Sequence, residues 1–222
     1  MKDRKGYDAV TTNKEQILAK LRNALLEKPE AMFEDIDLQS DTWNPIKEED
    51  GNAITFVQKF KDMGGIFIYL ESESELGECL SQLAPQNDWE PLWCTNPEMQ
   101  SFLEKHGVSY CNEPDTVNRK KLVSILPCDY LIAQTGSIVL TDGKAGSRKA
   151  YCDCDVLLVV AHTNQIVGGL KDAMHLLKEH IGIQDTTQAV FITGLTQTYA
   201  IEQESVKGVF GARQIAVFLV DD

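Results

Sequence analysis

The chain has 222 residues, of which 43% are hydrophobic, and it carries a formal net charge of −13. This length suffices for one large domain with a substantial core, and the acidity argues against binding to nucleic acids or to anionic membranes. No apolar run is long enough to span a bilayer, and no signal peptide follows the charged amino terminus. We therefore expect a cytoplasmic protein whose six cysteines are thiols.

The first 51 residues are predicted to form an N-terminal helix and an acidic arm. Apolar side chains recur at helical spacing within 13–27, at Ile17, Leu21 and Leu25, and Pro29 ends this pattern. Residues 29–52 are acidic but carry scattered large apolar side chains, which favours an extended arm over a flexible linker. Such an arm docks either on its own domain or on a second subunit, and the second arrangement would make the protein a homo-oligomer.

Helical and strand patterns alternate over residues 52–222 and predict one α/β domain. Short helices alternate with apolar runs, and Pro85 is expected to close the second helix. This alternation predicts a mainly parallel sheet with right-handed crossovers. The elements predicted first are helices at 52–63, 74–83 and 97–107 and strands at 66–70, 92–94 and 108–110.

The last third of the chain contains all-apolar runs whose β-branched content indicates strands buried on both faces. Two strands, predicted at 130–134 and 137–140, are separated only by Thr135 and Gly136, which predicts a tight hairpin and a partly antiparallel sheet. Residues 143–152 are expected to form a mobile basic loop, and 168–180 has the clearest helical period. The apolar runs are 130–133, 137–140, 156–160, 189–192 and 215–220.

The loops after these strands are rich in hydrogen-bond donors and form the predicted ligand site. Open α/β folds bind ligands at the carboxyl ends of their strands, and hydroxyls and backbone N–H groups suit an anion. A plain hairpin turn at 134–137 is an equally good interpretation. The predicted ligand-binding residues are Gln134, Thr135, Gly136, Ser137, Thr193, Gly194, Thr196, Gln197, Thr198, Gly211 and Arg213.

Three side chains, namely Arg213 from this set and two further ones, are candidates for chemistry. Glu202 lies beside the second loop and is the candidate catalytic base or nucleophile. Arg213 can clamp a carboxylate or phosphate, although pairing with Glu202 to fix the loop is the structural alternative. His162 follows a strand and is a second candidate base, but a solvated loop histidine is the favoured interpretation.

Cys152 and Cys154 are separated by a single residue. Zinc and iron–sulfur sites usually use two intervening residues and need further ligands. We therefore predict ordinary thiols, with no metal site and no cofactor bound by this chain.

Several segments together resemble the lactate-utilisation protein C family, whose members are LUD domain proteins. Residues 17–25 are similar to the N-terminal helix of that family, and residues 133–140, Ala-Gln-Thr-Gly-Ser-Ile-Val-Leu, are similar to its alanine–glutamate–threonine–glycine strand pair. The remaining similar segments are 155–160, 165–167, 192–194 with 201–202, 208–213 and 220–222.

The resemblance implies a three-layer α/β/α sandwich, similar to sugar-phosphate isomerases and CoA transferases, with a mainly parallel and partly antiparallel sheet. It also implies an accessory subunit of a bacterial system that oxidises lactate to pyruvate. Iron–sulfur partner proteins are expected to carry the clusters, and this chain is expected to bind a small anion.

Two departures from the family pattern leave other functions open. Gln134 stands where the family usually has Glu, and residues 194–200 lack its Arg and Asp. Losing a guanidinium and a carboxylate alters charge-based recognition. The alternatives are an isomerase or acyl-transfer enzyme acting on a sugar phosphate or acyl-CoA, and a non-catalytic assembly protein.

Overall fold

Seven α-helices and twelve strands form within the part of the chain that this computed structural model describes, namely residues 13–26, 51–114, 121–181, 187–199, 205–207 and 211–221. The helices are α1 (Asn13–Leu26), α2 (Gly51–Asp62), α3 (Glu73–Gln86), α4 (Pro97–Lys105), α5 (Asp142–Ala145), α6 (Arg148–Cys152) and α7 (Leu170–Ile181). The strands are β1 (Ile66–Leu70), β2 (Leu92–Trp93), β3 (Tyr110–Cys111), β4 (Val123–Pro127), β5 (Tyr130–Ile132), β6 (Ser137–Thr141), β7 (Val156–His162), β8 (Ile166–Val167), β9 (Ala189–Ile192), β10 (Gln197–Tyr199), β11 (Ser205–Lys207) and β12 (Gln214–Val220).

Six parallel strands form the main sheet, in the spatial order β1-β12-β7-β4-β2-β3. Its register places Ile66 opposite Ala216 and Val123 opposite Val156. The central strands β4, β7 and β12 are buried at nearly every position, because helices or further strands cover both faces. The all-apolar runs in the sequence reflect this two-sided burial.

Helices α3 and α4 cover one face of the main sheet. Leu76 and Leu80 of α3 and Leu103 of α4 are fully or almost fully buried in one cluster with Ile125 and Phe218 of the sheet. Full burial of such a side chain stabilises the fold by about 1.5–3 kcal/mol. These contacts fix the amino-terminal ends of both helices at the carboxyl edge of the sheet.

The start of α3 is set by a side-chain cap, but its end lies beyond the predicted one. The Ser72 hydroxyl accepts a hydrogen bond from the backbone N–H of Glu75 (3.3 Å), and the Glu75 carboxylate accepts one from the N–H of Glu71 (2.7 Å). Pro85 does not close the helix, which continues to Gln86. The hydrogen bond that Pro85 cannot donate is lost, yet Ala84 is buried and holds this turn against the core.

The opposite face of the main sheet is covered by α2, α5, α6 and a second sheet. Phe56 and Phe60 of α2 are fully buried, with ring centroids 5.4 Å apart. They belong to one cluster with Leu131 and Ile138 of the second sheet and with Val217 of the main sheet. This face therefore contains the largest aromatic contribution to the core.

The second sheet is mixed, with the order β8-β5-β6-β9. Strands β5 and β6 form the predicted antiparallel hairpin, with Ile132 opposite Ser137, and β6 pairs with β9 in antiparallel orientation. Ala173 and Leu177 of α7 pack on the outer face of this sheet. The predicted α/β/α arrangement, mainly parallel and partly antiparallel, is confirmed.

Residues 143–152 were expected to form a mobile loop, and this prediction was wrong. The segment contains α5 and α6, in which Ala145, Ala150 and Tyr151 are buried. The hydroxyl of Thr95 donates a hydrogen bond to the carbonyl of Ala145 (2.8 Å). Glycines and basic residues dominate the composition of this segment, but its few apolar side chains anchor it to the core.

The chain divides into two compact units, residues 1–42 and 43–222. In the first unit the structure describes only α1, whose Ile17 and Leu21 side chains are 59% and 54% exposed. Of the predicted acidic arm at 29–52, residues 29–50 lie outside the described residues and 51–52 belong to α2, so the proposed boundary at residue 51 stays a prediction. None of the described helices combines the length and the apolar character needed to cross a bilayer.

Candidate functional site

The two predicted ligand-binding loops meet at a cluster of three hydroxyl groups. The Ser137 hydroxyl lies 2.7 Å from that of Thr135 and 2.7 Å from that of Thr193. They meet because β6 pairs with β9, which places Ile138 opposite Ile192. We call Thr135, Ser137 and Thr193 the hydroxyl cluster.

The glycines of both loops pack against the carboxyl end of α2. Gly136 has a φ of +64°, and a Cβ atom there would lie 2.7 Å from the backbone nitrogen of Phe60. Gly194 has a φ of +71°, and its Cβ would lie 2.6 Å from the Cβ of Met63. Because α2 leads directly into β1, the hydroxyl cluster lies beside the amino edge of the main sheet.

The other predicted ligand-binding residues are spread around this region. The backbone N–H of Gln134 donates to the carbonyl of Gly168 (3.0 Å). Thr196 lies against Gly211, since a Cβ on Gly211 would be 3.8 Å from the Thr196 hydroxyl. Gln197 and Thr198 belong to β10, which pairs with β11.

Within the part of the chain that the structure describes, Arg213 makes no hydrogen bond or ion pair with the hydroxyl cluster. The Arg213 guanidinium lies 3.8 Å from the carboxylate of Asp155, and the exposed fractions of these side chains are 74% and 38%. Arg213 therefore forms a surface ion pair just before β12. Glu202 lies outside the described residues, so its catalytic role stays a prediction.

A cavity of about 200 Å³ lies at the opposite edge of the main sheet. It is located at the carboxyl ends of β1, β2, β4 and β7, the usual position of ligand sites in open α/β sheets. We call it the carboxyl-edge cavity. Its polar lining residues are Glu73, Asn96, Glu98, Lys144, His162 and Gln165, and its apolar ones are Leu76, Met99, Phe102, Pro127 and Val160.

Asn96 connects two walls of the carboxyl-edge cavity. It is 7% exposed and caps α4, because its side-chain oxygen accepts a hydrogen bond from the backbone N–H of Met99 (2.8 Å). Its side-chain nitrogen donates to the backbone carbonyl of Lys144 (2.9 Å). A single buried amide thus fixes α5 against the amino-terminal end of α4.

The carbonyl of Cys128 organises the wall formed by the ends of β4 and β7. It accepts a hydrogen bond from the side-chain nitrogen of Gln165 (2.8 Å) and a longer one from the ammonium of Lys144 (3.4 Å). The side-chain oxygen of Gln165 accepts from the backbone N–H of His162 (2.7 Å). The Gln165 amide is therefore committed to structure, whereas Lys144 keeps most of its donor capacity.

The charges of the carboxyl-edge cavity are divided between its interior and its rim. Lys144 and His162 are half-buried, whereas Glu73 and Glu98 are exposed. Both glutamates lie in the first turn of a helix, where a negative charge interacts favourably with the helix dipole. Among the described residues no carboxylate forms an ion pair with Lys144.

Three cysteine thiols near the core are chemically quiet. Burial raises the pKa of Cys94 to about 11 and that of Cys128 and Cys154 to about 12, so these thiols stay protonated at neutral pH. Cys152 is exposed. Within the described ranges, no group of three or more His, Cys, Asp or Glu side chains could hold a metal ion.

The sequence pointed to only part of the carboxyl-edge cavity. His162 was considered because it follows a strand, and Asn96 was visible as a cap before Pro97. Lys144 was missed because its segment was expected to be mobile. The signal that identifies the cavity is tertiary, since the parallel pairing of β2, β4 and β7 brings their ends together.

Comparisons with known proteins agree with this fold. A family model for the LUD domain matches residues 118–220. A solved structure of a DUF162 family protein from Deinococcus radiodurans is similar, with a TM-score of 0.58 and 17% sequence identity, over 79% of this chain and 99% of that chain. At this identity the similarity concerns the fold alone.

No curated protein matches this sequence at a significant level. The segment 118–220 matches the LUD domain model and carries much of the α/β architecture described above, so this segment is identified as a LUD domain.

Proposed function

We propose that this protein acts in the bacterial oxidation of lactate to pyruvate, as an accessory subunit beside iron–sulfur partner proteins. The observation that carries the proposal is the LUD domain at residues 118–220, since this family is associated with lactate utilisation. In this proposal the partners hold the redox centres, and the present chain binds a small anion.

The architecture supports a ligand-binding role for the LUD domain. The matched segment supplies one complete wall of the carboxyl-edge cavity, with Lys144 and His162 as its ionisable side chains. It also supplies all three members of the hydroxyl cluster. Concave sites that combine apolar and polar lining groups are the usual ligand sites of proteins, and the carboxyl-edge cavity fits this description better than the mutually bonded hydroxyls.

Gene deletion tests the proposed role. A strain that lacks this gene and any paralogue should grow poorly on lactate as sole carbon source and normally on glucose. A plasmid-borne copy should restore growth on lactate. Normal growth of the deletion strain on lactate would refute the proposed function.

Co-purification tests the proposed partners. Protein isolated from lactate-grown cells under anaerobic conditions should bring with it proteins that contain iron and acid-labile sulfide. The purified chain itself should contain neither. If iron and sulfide remain with this chain after its partners have been removed, the proposed division of roles is wrong.

A further inference from the structure

We propose that the carboxyl-edge cavity binds a short monocarboxylate, a 2-hydroxy or 2-oxo acid, with the ammonium of Lys144 as its charged contact. The assignment deepens the proposed function and rests on it for the choice among small carboxylates. It places the anion at the edge of the main sheet opposite the hydroxyl cluster.

The size of the carboxyl-edge cavity restricts the ligand. Sites for drug-sized molecules occupy about 300–1,000 Å³, and this cavity measures about 200 Å³. An intact nucleotide or acyl-CoA is therefore too large to be enclosed. A ligand smaller than a drug-sized molecule is the appropriate scale.

The charge of the cavity favours an anion in the interior. Lys144 is half-buried, and its hydrogen bond to the Cys128 carbonyl is 3.4 Å long, beyond the usual range of about 2.7–3.2 Å. A carboxylate gives this ammonium a shorter and stronger charge-assisted bond.

The rim of the cavity selects against a second negative charge. Glu73 and Glu98 are exposed at its entrance, and like charges repel across a shared site. A phosphate or dicarboxylate experiences this repulsion more strongly than a monocarboxylate does. The rim thus favours a singly charged ligand.

The rest of the lining fits a small carbon skeleton with one polar substituent. Leu76, Met99 and Phe102 form an apolar wall, and His162 lines the cavity with an imidazole. The His162 side chain accepts a hydrogen bond from the backbone N–H of Gln165, so its other ring nitrogen is the one that can donate, which suits the oxygen of either a hydroxyl or a carbonyl at the 2-position. Apolar, cationic and hydrogen-bonding groups therefore occur together in one small space.

Calorimetric titration of the purified full chain tests the assignment, with lactate, pyruvate, propionate and inorganic phosphate as probes at constant ionic strength. Lactate or pyruvate should bind more tightly than propionate and phosphate. Lys144→Gln should weaken that binding by at least about tenfold, and Lys144→Arg should retain part of it. Lys149→Gln, an exposed lysine in the following helix, is the matched control and should bind like the wild type.

Glu98→Gln provides a test that leaves Lys144 in place. Removal of this exposed rim charge should strengthen monocarboxylate binding by about 1.5- to 5-fold, and the change is at the surface, so the variant should fold. The assignment is overturned if no probe binds, if phosphate binds most tightly, or if Lys144→Gln folds and binds like the wild type. It is equally overturned if Glu98→Gln weakens binding.

The two proposals can fail separately. Titration uses the isolated protein, so an absence of binding overturns the cavity assignment whatever the growth result. Normal growth of the deletion strain on lactate refutes the lactate role, whereas carboxylate binding that depends on Lys144 would still support the cavity assignment.

Discussion

Replacement of Gly136 by alanine should destabilise the protein through two separable effects. The residue has a φ of +64°, a conformation that costs a non-glycine residue about 1–2 kcal/mol. The new Cβ atom would also lie 2.7 Å from the nitrogen of Phe60 and 2.8 Å from the carbonyl carbon of Lys59. These are backbone atoms of α2, so a side-chain rotation cannot relieve the contact.

The magnitude follows from adding the conformational cost to the overpacking. Forcing extra volume into a well-packed region costs about 1–3 kcal/mol, which gives about 2–5 kcal/mol in total for Gly136→Ala. Gly107→Ala is the matched control, because Gly107 has a φ of +69° and no atom within 4 Å of its prospective Cβ. The control should lose only about 1–2 kcal/mol.

Urea unfolding followed by circular dichroism measures both variants against the wild type. The expected difference of about 1–3 kcal/mol between them corresponds to about 2–12 °C in Tm for a chain of this size. If Gly136→Ala and Gly107→Ala lose the same stability, the close approach of the hairpin to α2 is refuted. If neither loses stability, the assigned backbone conformation is refuted as well.

Three further predictions concern buried polar groups and thiols. Asn96→Ala should lower the free energy of unfolding in urea by about 1–3 kcal/mol, because the cap of α4 and the hydrogen bond to α5 disappear together. Ser72→Ala, which removes only a cap, should lower it by about 0.5–1 kcal/mol. Equal losses in the two variants would contradict the bridging role of Asn96. Ser137→Ala should lose about 1–3 kcal/mol, because it removes the shared partner of two hydroxyls, and Thr193→Ser should stay near the wild type. Burial raises the pKa of the thiols of Cys94, Cys128 and Cys154 above the ordinary 9.0, so these thiols ionise in the unfolded chain before they ionise in the folded protein as the pH rises. The free energy of unfolding should therefore fall above about pH 9, by about 1.4 kcal/mol per thiol at pH 10. Unchanged urea midpoints between pH 8 and pH 10 would contradict this prediction.

The elements that the sequence predicted well are those whose pattern depends on burial alone. Strands β7 and β12 are continuous apolar runs because both of their faces are covered. The hairpin of β5 and β6 was predictable because only a few turn residues separate two such runs. Local chemistry was sufficient in these cases.

The elements that the sequence missed depend on partners distant in the chain. Helices α5 and α6 occur in a segment rich in glycine and lysine, and contacts such as that of Thr95 with Ala145 hold it in place. The carboxyl-edge cavity likewise assembles Asn96, Lys144 and His162 from three separate connections. No local period links these residues, so the sequence alone could not group them.

The sequence predicted the arrangement of the ligand loops only in part, because that arrangement also depends on strands distant in the chain. The pairing of β6 with β9 joins Ser137 to Thr193, as expected for loops at the ends of neighbouring strands. Arg213 was expected to contribute a clamp, but it precedes its strand and pairs with Asp155. A strand's direction decides at which edge its flanking residues lie, and this direction is a property of the whole sheet.

The position of β12 has a consequence for synthesis on the ribosome. Ile66 of β1 pairs with Ala216, 150 positions further along the chain, and β12 also separates β1 from β7. At about 5–20 residues per second, the ribosome needs about 8–30 seconds to produce the strand that β1 requires. During that interval β1 has no partner in its final sheet, and β7, which can already pair with β4, lacks its second neighbour, so the apolar side chains of β1 stay without their final cover until the central gap is filled.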